Sequence, residues 1–265
     1  MKKMIGWWLL VVALGCLIAV YFWPRDEEPP PQVAQAPEPA PATEPAIRYP
    51  IEAVQPMDEP PVADGKPLLP KLDDSDGAMR DLLAALFGKE PERFFYLDKI
   101  IHRFVATVDN LPRETAPLQV MPVKPVPGWT VTSGEGDTVE LSPKNAARYR
   151  RYVQLAESVP TGRLVAAYVR FYSLFQEQYE RLGYPGKYFN DRLIEVIDHL
   201  LAAPDLTGPV LLTQSNVIYQ FADPSLEQLS AGQKILIRMG TENAAKVKAK
   251  LREFRSSFAP KGTKN

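Results

Sequence analysis

Apolar residues recur at steps of three and four through Leu164, Tyr168, Phe171, Phe175, Tyr179 and Leu182, which sets all six on one face of a helix. Leu193, Ile197, Leu200 and Leu201 continue the same spacing after a turn over 183–189 that is rich in glycine, proline and tyrosine. The pattern predicts two helices joined by an aromatic corner across 162–204, with the rest of the chain packed around them.

Upstream, Met79, Leu82, Leu83 and Leu86 predict a short helix capped by Asp74 or Ser75 and ended by Gly88. A second helix is expected from Pro91, carrying Phe94, Leu97, Ile101, Phe104, Val105 and Val108 on one side, until Pro112 stops it. Alternating β-formers at 129–132 and 138–141 flank a glycine-rich turn and predict a hairpin. Ser142-Pro143 opens a helix to about Val159. Beyond Pro204, 210–212 and 217–219 make a weaker hairpin around Gln214-Ser215-Asn216. Ser230 and Gln233 fit a capping box at the start of a helix ending near Gly240, and Thr241 is expected to cap a basic last helix reaching Phe258. The expected fold class is mainly α (α+β with one or two small β-hairpins).

The first 23 residues break this pattern. Ile5 to Trp23 are nineteen residues without a charge, long enough as a helix to span roughly 28 Å of hydrocarbon. Trp7 and Trp8 lie near one end and Tyr21, Phe22 and Trp23 at the other, and Lys2 and Lys3 precede the run. Aromatic belts and the positive-inside rule predict a single-pass membrane anchor with its N-terminus in the cytoplasm and the remainder across the membrane. A cleaved signal peptide and a lipoprotein acylated on Cys16 are the alternatives. Bulky Tyr21-Phe22-Trp23 disfavours the first, and the apolar continuation 17–20 disfavours the second.

From 24 to 70 the chain has no helical or strand period, carries nine acids against three bases, and holds 14 of the 27 prolines. Runs such as Pro29-Pro30-Pro31 favour polyproline II, giving a reach of up to roughly 140 Å. A solvated spacer is the plain reading, and a dock for a proline-recognising partner the sharper one. The expected organisation is an anchor over 1–23, a disordered Pro/Glu/Ala-rich linker over 24–67, a helical domain over 68–260 and a tail over 261–265. From Lys71 onward the net charge is only +3, far from the footprint of a nucleic-acid binder. Cys16 is the one cysteine, so the domain has neither a disulfide nor a thiol nucleophile.

Candidate chemistry is sparse. Metalloprotease, phosphate-loop and nucleophile-elbow motifs are absent, and so is Ser-x-x-Lys. Asp73-Asp74-Ser75-Asp76-Gly77 resembles a calcium loop only superficially, because the glycine is out of register and the closing glutamate is missing. His199, Glu195 and Arg192 lie at helical spacing; two ligands do not make a metal site, and a solvated ion-pair face accounts for them. His102 beside Asp98 reads the same way. No metal and no cofactor are expected. The corner between the central helices is the best ligand candidate, since Tyr184, Tyr188 and Phe189 supply flat apolar area beside Asn190, Asp191 and Arg192. Aromatic plugs and a capping Asn190 are the competing structural explanation. Asp109, Asn110 and Arg113, at the corner 109–113, carry the same ambiguity.

Several longer phrases, among them 104–113, 182–185, 188–193, 196–201, 221–224, 229–234 and 238–240, resemble a bacterial family, domain-of-unknown-function family 3014, over about 67–258. The resemblance implies a proteobacterial protein with one N-terminal membrane segment, a Pro-rich linker and this domain, so the expected anchor is in the inner membrane and the expected domain periplasmic. It brings no activity, cofactor or catalytic residue. The expected function is binding of an envelope protein or cell-wall component, with the membrane as the other partner through residues 5–23. A carboxylate- or His199-based periplasmic hydrolase and a structural subunit of an envelope complex are the alternatives.

Overall fold

The computed structural model describes residues 47–54, 69–88, 91–214 and 218–258. In chain order its α-helices are α1 Asp76–Phe87, α2 Ile100–Asn110, α3 Ala146–Ser158, α4 Thr161–Arg181, α5 Phe189–Leu201, α6 Pro224–Glu227, α7 Ala231–Arg238 and α8 Thr241–Ser256. Four two-residue strands form two antiparallel hairpins, β1 Thr132–Ser133 with β2 Glu140–Leu141 and β3 Leu212–Thr213 with β4 Gln220–Phe221. The protein is mainly helical with two small hairpins. The apolar run 5–23, most of the linker and the tail 261–265 lie outside the described residues; among the described residues no helix is long and apolar enough to cross a membrane.

Helix α4 is the axis of the domain, packed by α1, α2, α5 and α8. Tyr168, Phe171, Phe175 and Tyr179 of the predicted stripe are buried, while Leu164 and Leu182 are half-buried. Burial extends to Val165, Ala166, Ala167, Tyr172 and Leu174, so the helix is covered over more than one face. Phe189 opens α5 with no exposure at all, inside an aromatic cluster with Phe104, Phe175 and Tyr179. The first amides of α5 are satisfied from α4: Phe189 N–H donates to Gln176 Oε1 at 2.8 Å and Asn190 N–H to the Tyr172 hydroxyl at 3.4 Å. The aromatic corner is therefore locked by its own core.

The helix expected from Pro91 does not form over its first half. Pro91–Arg93 is a single 3-10 turn, Lys99 takes a left-handed φ of 49°, and α2 begins only at Ile100. Two tertiary contacts override the periodicity. Phe94 and Tyr96 exchange backbone hydrogen bonds with Lys124 and Pro122 around a Phe95–Val123 bridge. Asp76 accepts from Lys99 and Ile100 N–H at 2.7 and 2.9 Å, so an acid of α1 caps α2 from outside.

The capping box forms as expected, with Ser230 and Gln233 bonding reciprocally. Ser142 accepts from Lys144 N–H at the start of a 3-10 turn leading into α3. Neither Ser75 nor Thr241 caps through its side chain. The Ser75 hydroxyl donates to Leu72 O, and Gly240 takes the N-cap of α8 while the Thr241 hydroxyl donates to Leu206 O. The second hairpin pairs two residues later than expected on its return strand. A Glu140–Leu211 bridge, with Leu141 N–H to Val210 O and Leu212 N–H to Val139 O, joins the two hairpins edge to edge.

Residues 47–54, within the range assigned to the linker, are seated on the helical domain. Ile51 is buried in the main core, and Tyr49 and Val54 pack against it.

Candidate functional site

The C-terminal end of α2, the turn after α4 and the first turns of α5 meet around one carboxylate. Asp109 has a side chain only 5% exposed, and such a charge persists only when its lone pairs are filled. It receives Arg113, four residues on, and the Tyr184 hydroxyl at 3.1 Å. Arg192 Nη2 reaches both its backbone oxygen, at 3.2 Å, and Oδ1, at 3.4 Å. Arg113 also donates to the Tyr184 hydroxyl at 3.2 Å, and the charge of Asp109 holds its guanidinium still more firmly protonated. The Tyr184 ring stacks on Tyr179 with centroids 4.6 Å apart. Burial pushes the Tyr179 phenol up to about 12, with Arg192 pulling the other way.

Local sequence explains how these groups arrive. Gly183 and Gly186 take φ of 109° and 72°, a left-handed backbone that turns the chain back between α4 and α5 and aims Tyr184 at Asp109. The corner is braced from behind: Ala231 N–H donates to Arg113 O and Gly232 N–H to Leu111 O, so the first amides of α7 hold it. A Cβ on Gly232 would lie 2.4 Å from Leu200 Cδ2 and 3.1 Å from Leu111 O, which is why a glycine stands there.

In front of this network lies an open groove of about 540 Å³. Tyr179, Tyr184 and Tyr188 form its aromatic wall, and Arg48, Lys187 and Arg192 supply cations. Arg192 also pairs with Glu195 at 3.2 Å, while its buried Nε has no partner among the described residues. Asp191, also at the groove, accepts from the N–H groups of Arg48 and Tyr49 at 3.0 and 2.8 Å. Tyr188 accepts from Ile51 N–H at 2.8 Å, and Asn190 Nδ2 donates to Tyr49 O at 2.8 Å.

Of the ten candidate residues, Asp109, Tyr184, Tyr188, Asp191 and Arg192 line the groove, and Arg113 touches two of them. Phe189 and Asn190 are fully buried behind it and offer a ligand no surface. Asn190 does not cap α5 with its side chain; it links Tyr168, whose hydroxyl donates to Oδ1, to the segment at Tyr49. Asn110 bonds back to Ala106 O on its own helix.

His199 is elsewhere, in a separate cleft of about 480 Å³ beside Glu114, Glu227 and Ser230. Its Nε2 lies 2.9 Å from the Ser230 hydroxyl, a serine–histidine contact on paper. The hydroxyl already accepts from Gln233 N–H as the helix cap, and the neighbouring amides of Ala231 and Gly232 are spent on Arg113 O and Leu111 O. Free donors for an oxyanion are thus missing at this serine. A third cavity, about 440 Å³, lies between the hairpins and α7 and is lined mainly by apolar groups such as Leu141, Pro143, Leu206, Val210 and Ile237. Its polar Ser142 and Asp205 are engaged with Lys144 and Lys248. Among the described residues no three His, Cys, Asp or Glu side chains are placed to hold a metal.

Sequence reading missed Arg48 and Tyr49 because they sit in a proline-punctuated stretch without periodicity. The available signal was Ile47-Arg48-Tyr49-Pro50-Ile51, an unusually bulky cluster for such a stretch.

A search among curated proteins returned no match, and a search among solved structures returned none. The model of the family described as "Protein of unknown function (DUF3014)" matches residues 100–255, which contain α2 through most of α8 and every candidate residue above. With more than half of its length matched, the chain belongs to that family.

Proposed function

We propose that this is a single-pass inner-membrane protein whose periplasmic domain binds an envelope protein or a cell-wall component at the groove between the Asp109 corner and the Tyr184 turn. The observation that carries the reading is the state of the groove's charges. Asp109 and Asp191 are filled by fixed donors from their own chain and Glu195 pairs with Arg192, whereas Lys187 stands exposed at the groove, 5.9 Å over the Tyr184 ring. Satisfied carboxylates beside available cations and aromatic faces suit recognition; a proton-transfer catalyst needs a carboxylate free to accept. The uncharged run 5–23 and the proline-rich stretch after it support a tethered module with reach.

The hydrolase alternative is weakened by the distance between its parts, since His199 belongs to another cleft and its serine is committed to a cap. The structural-subunit alternative makes no use of the groove.

A photo-crosslinking residue in place of exposed Lys187, in living cells, tests the proposal. A single envelope-protein adduct, or a cell-wall adduct, is expected. A folded, membrane-located protein that yields no adduct, or only cytoplasmic ones, contradicts it.

A further inference from the structure

We infer that the loop around Trp129, together with the basic start of α3, is a docking surface that rests the domain on an anionic lipid bilayer. This surface is separate from the groove; the bilayer it meets is the one the proposed anchor supplies, so the docking rests on that reading.

Trp129 is 89% exposed, although tryptophan is among the side chains that folding buries most. Leu118 and Val123, exposed as well, belong to the same proline-punctuated stretch. The loop does not lack anchorage. Arg148 of α3 donates to three successive carbonyls, Nη2 to Val126 O at 3.4 Å and to Gly128 O, and Nε to Pro127 O at 3.3 Å. On the other flank Val131 N–H donates at 3.0 Å to Oδ1 of Asn145, which is 1% exposed. Gly128, at a φ of 82°, makes the bend between these two clamps. The fold therefore fixes the loop on both sides and still leaves the indole in solvent. Trp129 lines none of the three clefts described above, so it does not close a pocket.

The surrounding charge has one dominant sign. Residues 115–134 hold a single charge, Lys124, and residues 141–156 hold four, Lys144, Arg148, Arg150 and Arg151, with no acid in either stretch. Glu135, Asp137 and Glu140 of the hairpin come between, and five bases against three acids leave the unit at +2. Among the described residues none of the four bases of 141–156 pairs with a carboxylate, and Lys144, Arg150 and Arg151 are exposed. An indole beside lysine and arginine suits a bilayer interface, where the ring sits at the headgroup level and the cations meet lipid phosphates. A protrusion with no recess beside it fits a fluid lipid surface better than a folded partner, which demands shape complementarity. The tether brings that surface close. Because Ile51 seats residues 47–54 on the core, only residues 24–46 separate the uncharged run from the domain. Those 23 residues span at most about 80 Å.

The chain has four tryptophans, and Trp7, Trp8 and Trp23 lie in the N-terminal run. Trp7→Phe, Trp8→Phe and Trp23→Phe together leave Trp129 as the sole indole. The full-length variant is reconstituted into phosphatidylglycerol vesicles with and without bromines on the acyl chains, which quench an indole only near contact. Docking predicts blue-shifted emission that is at least about twofold dimmer over brominated lipid. Adding Lys144→Gln, Arg150→Gln and Arg151→Gln should return most of the lost fluorescence, since each base near an anionic surface favours binding roughly fivefold. Solvent-like, unquenched emission from protein that floats with the vesicles overturns the inference. A blue shift without quenching does so too, because the indole would then be covered by protein. Quenching that survives the three Gln changes overturns the anionic-lipid assignment. Protein that does not float, yet is quenched on mixing with the same vesicles, sinks the anchor and leaves the docking surface standing; no quenching on mixing sinks both.

Discussion

Asp109 and Asp191 stand on opposite sides of one groove, and they are satisfied in opposite ways. Asp109 is enclosed, and its donors are side chains from three elements: Arg113 after α2, Tyr184 in the turn and Arg192 on α5. Asp191 is filled by two backbone amides of a segment that reaches it from 142 residues away. The first arrangement ties the scaffold together. The second secures a peripheral segment that Ile51, Tyr49 and Val54 also seat on the core, so losing the carboxylate frees the Arg48 and Tyr49 amides without breaking the helical scaffold.

The largest expected effect tests the first half of that contrast. Asp109→Ala takes the shared carboxylate from Arg113 and Arg192 and leaves Arg192, whose buried Nε already lacks a partner among the described residues, with Glu195 and the backbone oxygen of residue 109. Removing one member of a buried pair costs about 3–5 kcal/mol; because Arg113 is 54% exposed and relaxes into water, about 2–3 kcal/mol is expected here. For a domain of this size that lowers Tm by roughly 4–12 °C, measurable by calorimetry. Gly232→Ala strikes the brace behind the corner. Its Cβ would overlap Leu200 and press on Leu111 O, an overpacking cost of about 1–3 kcal/mol, and it should loosen Arg113 as well. Chemical denaturation supplies the number, and unchanged stability would mean that α7 does not brace the site.

Asp191→Ala should cost less, about 1 kcal/mol of global stability, because water can reach the amides it releases while Ile51 keeps the segment seated on the core. Alkaline titration gives the gentlest test. Burial raises the phenols of Tyr168, Tyr172 and Tyr179 above their ordinary value, Tyr179 to about 12. A group raised in the folded state contributes stability that is present below pH 10 and lost as pH rises from there through the folded value. Stability should therefore fall between pH 10 and 12, and Tyr179→Phe should flatten part of that fall in a denaturation series. Asp191→Ala should leave the share due to Tyr179 unchanged, since Tyr179 belongs to the Asp109 side.

Much of this was legible in the residues. The stripe on α4, the corner after it and the Ser230–Gln233 box follow from local spacing and capping chemistry, and all three form. The failures have one cause, contacts from far along the chain. Phe94 and Leu97 have helical spacing, yet pairing of 94–96 with 122–124 and capping by Asp76 draw residues 94–99 out of the helix. Arg48 and Tyr49 belong to a region with no period, and their docking depends on Asp191 and Asn190, remote in sequence. The corner residues were individually legible as polar groups near turns. Their convergence on Asp109 was not, because nothing local says that the ends of α2 and α4 meet. His199 shows the converse: helical spacing groups it with Arg192, but the two turns of α5 between them set the pair in different clefts.

Amide hydrogen exchange on the full-length protein, comparing wild type, Asp191→Ala and Asp109→Ala, tests the contrast most directly. The amides of Arg48, Tyr49 and Ile51 should be protected in wild type. In Asp191→Ala those of Arg48 and Tyr49 should exchange at near-solvent rates while α2 and α4 stay protected; in Asp109→Ala protection should fall in α2 and at Ala231 and Gly232. Free exchange at 48 and 49 in the wild-type protein, or loss of α2 protection in Asp191→Ala, would contradict the account.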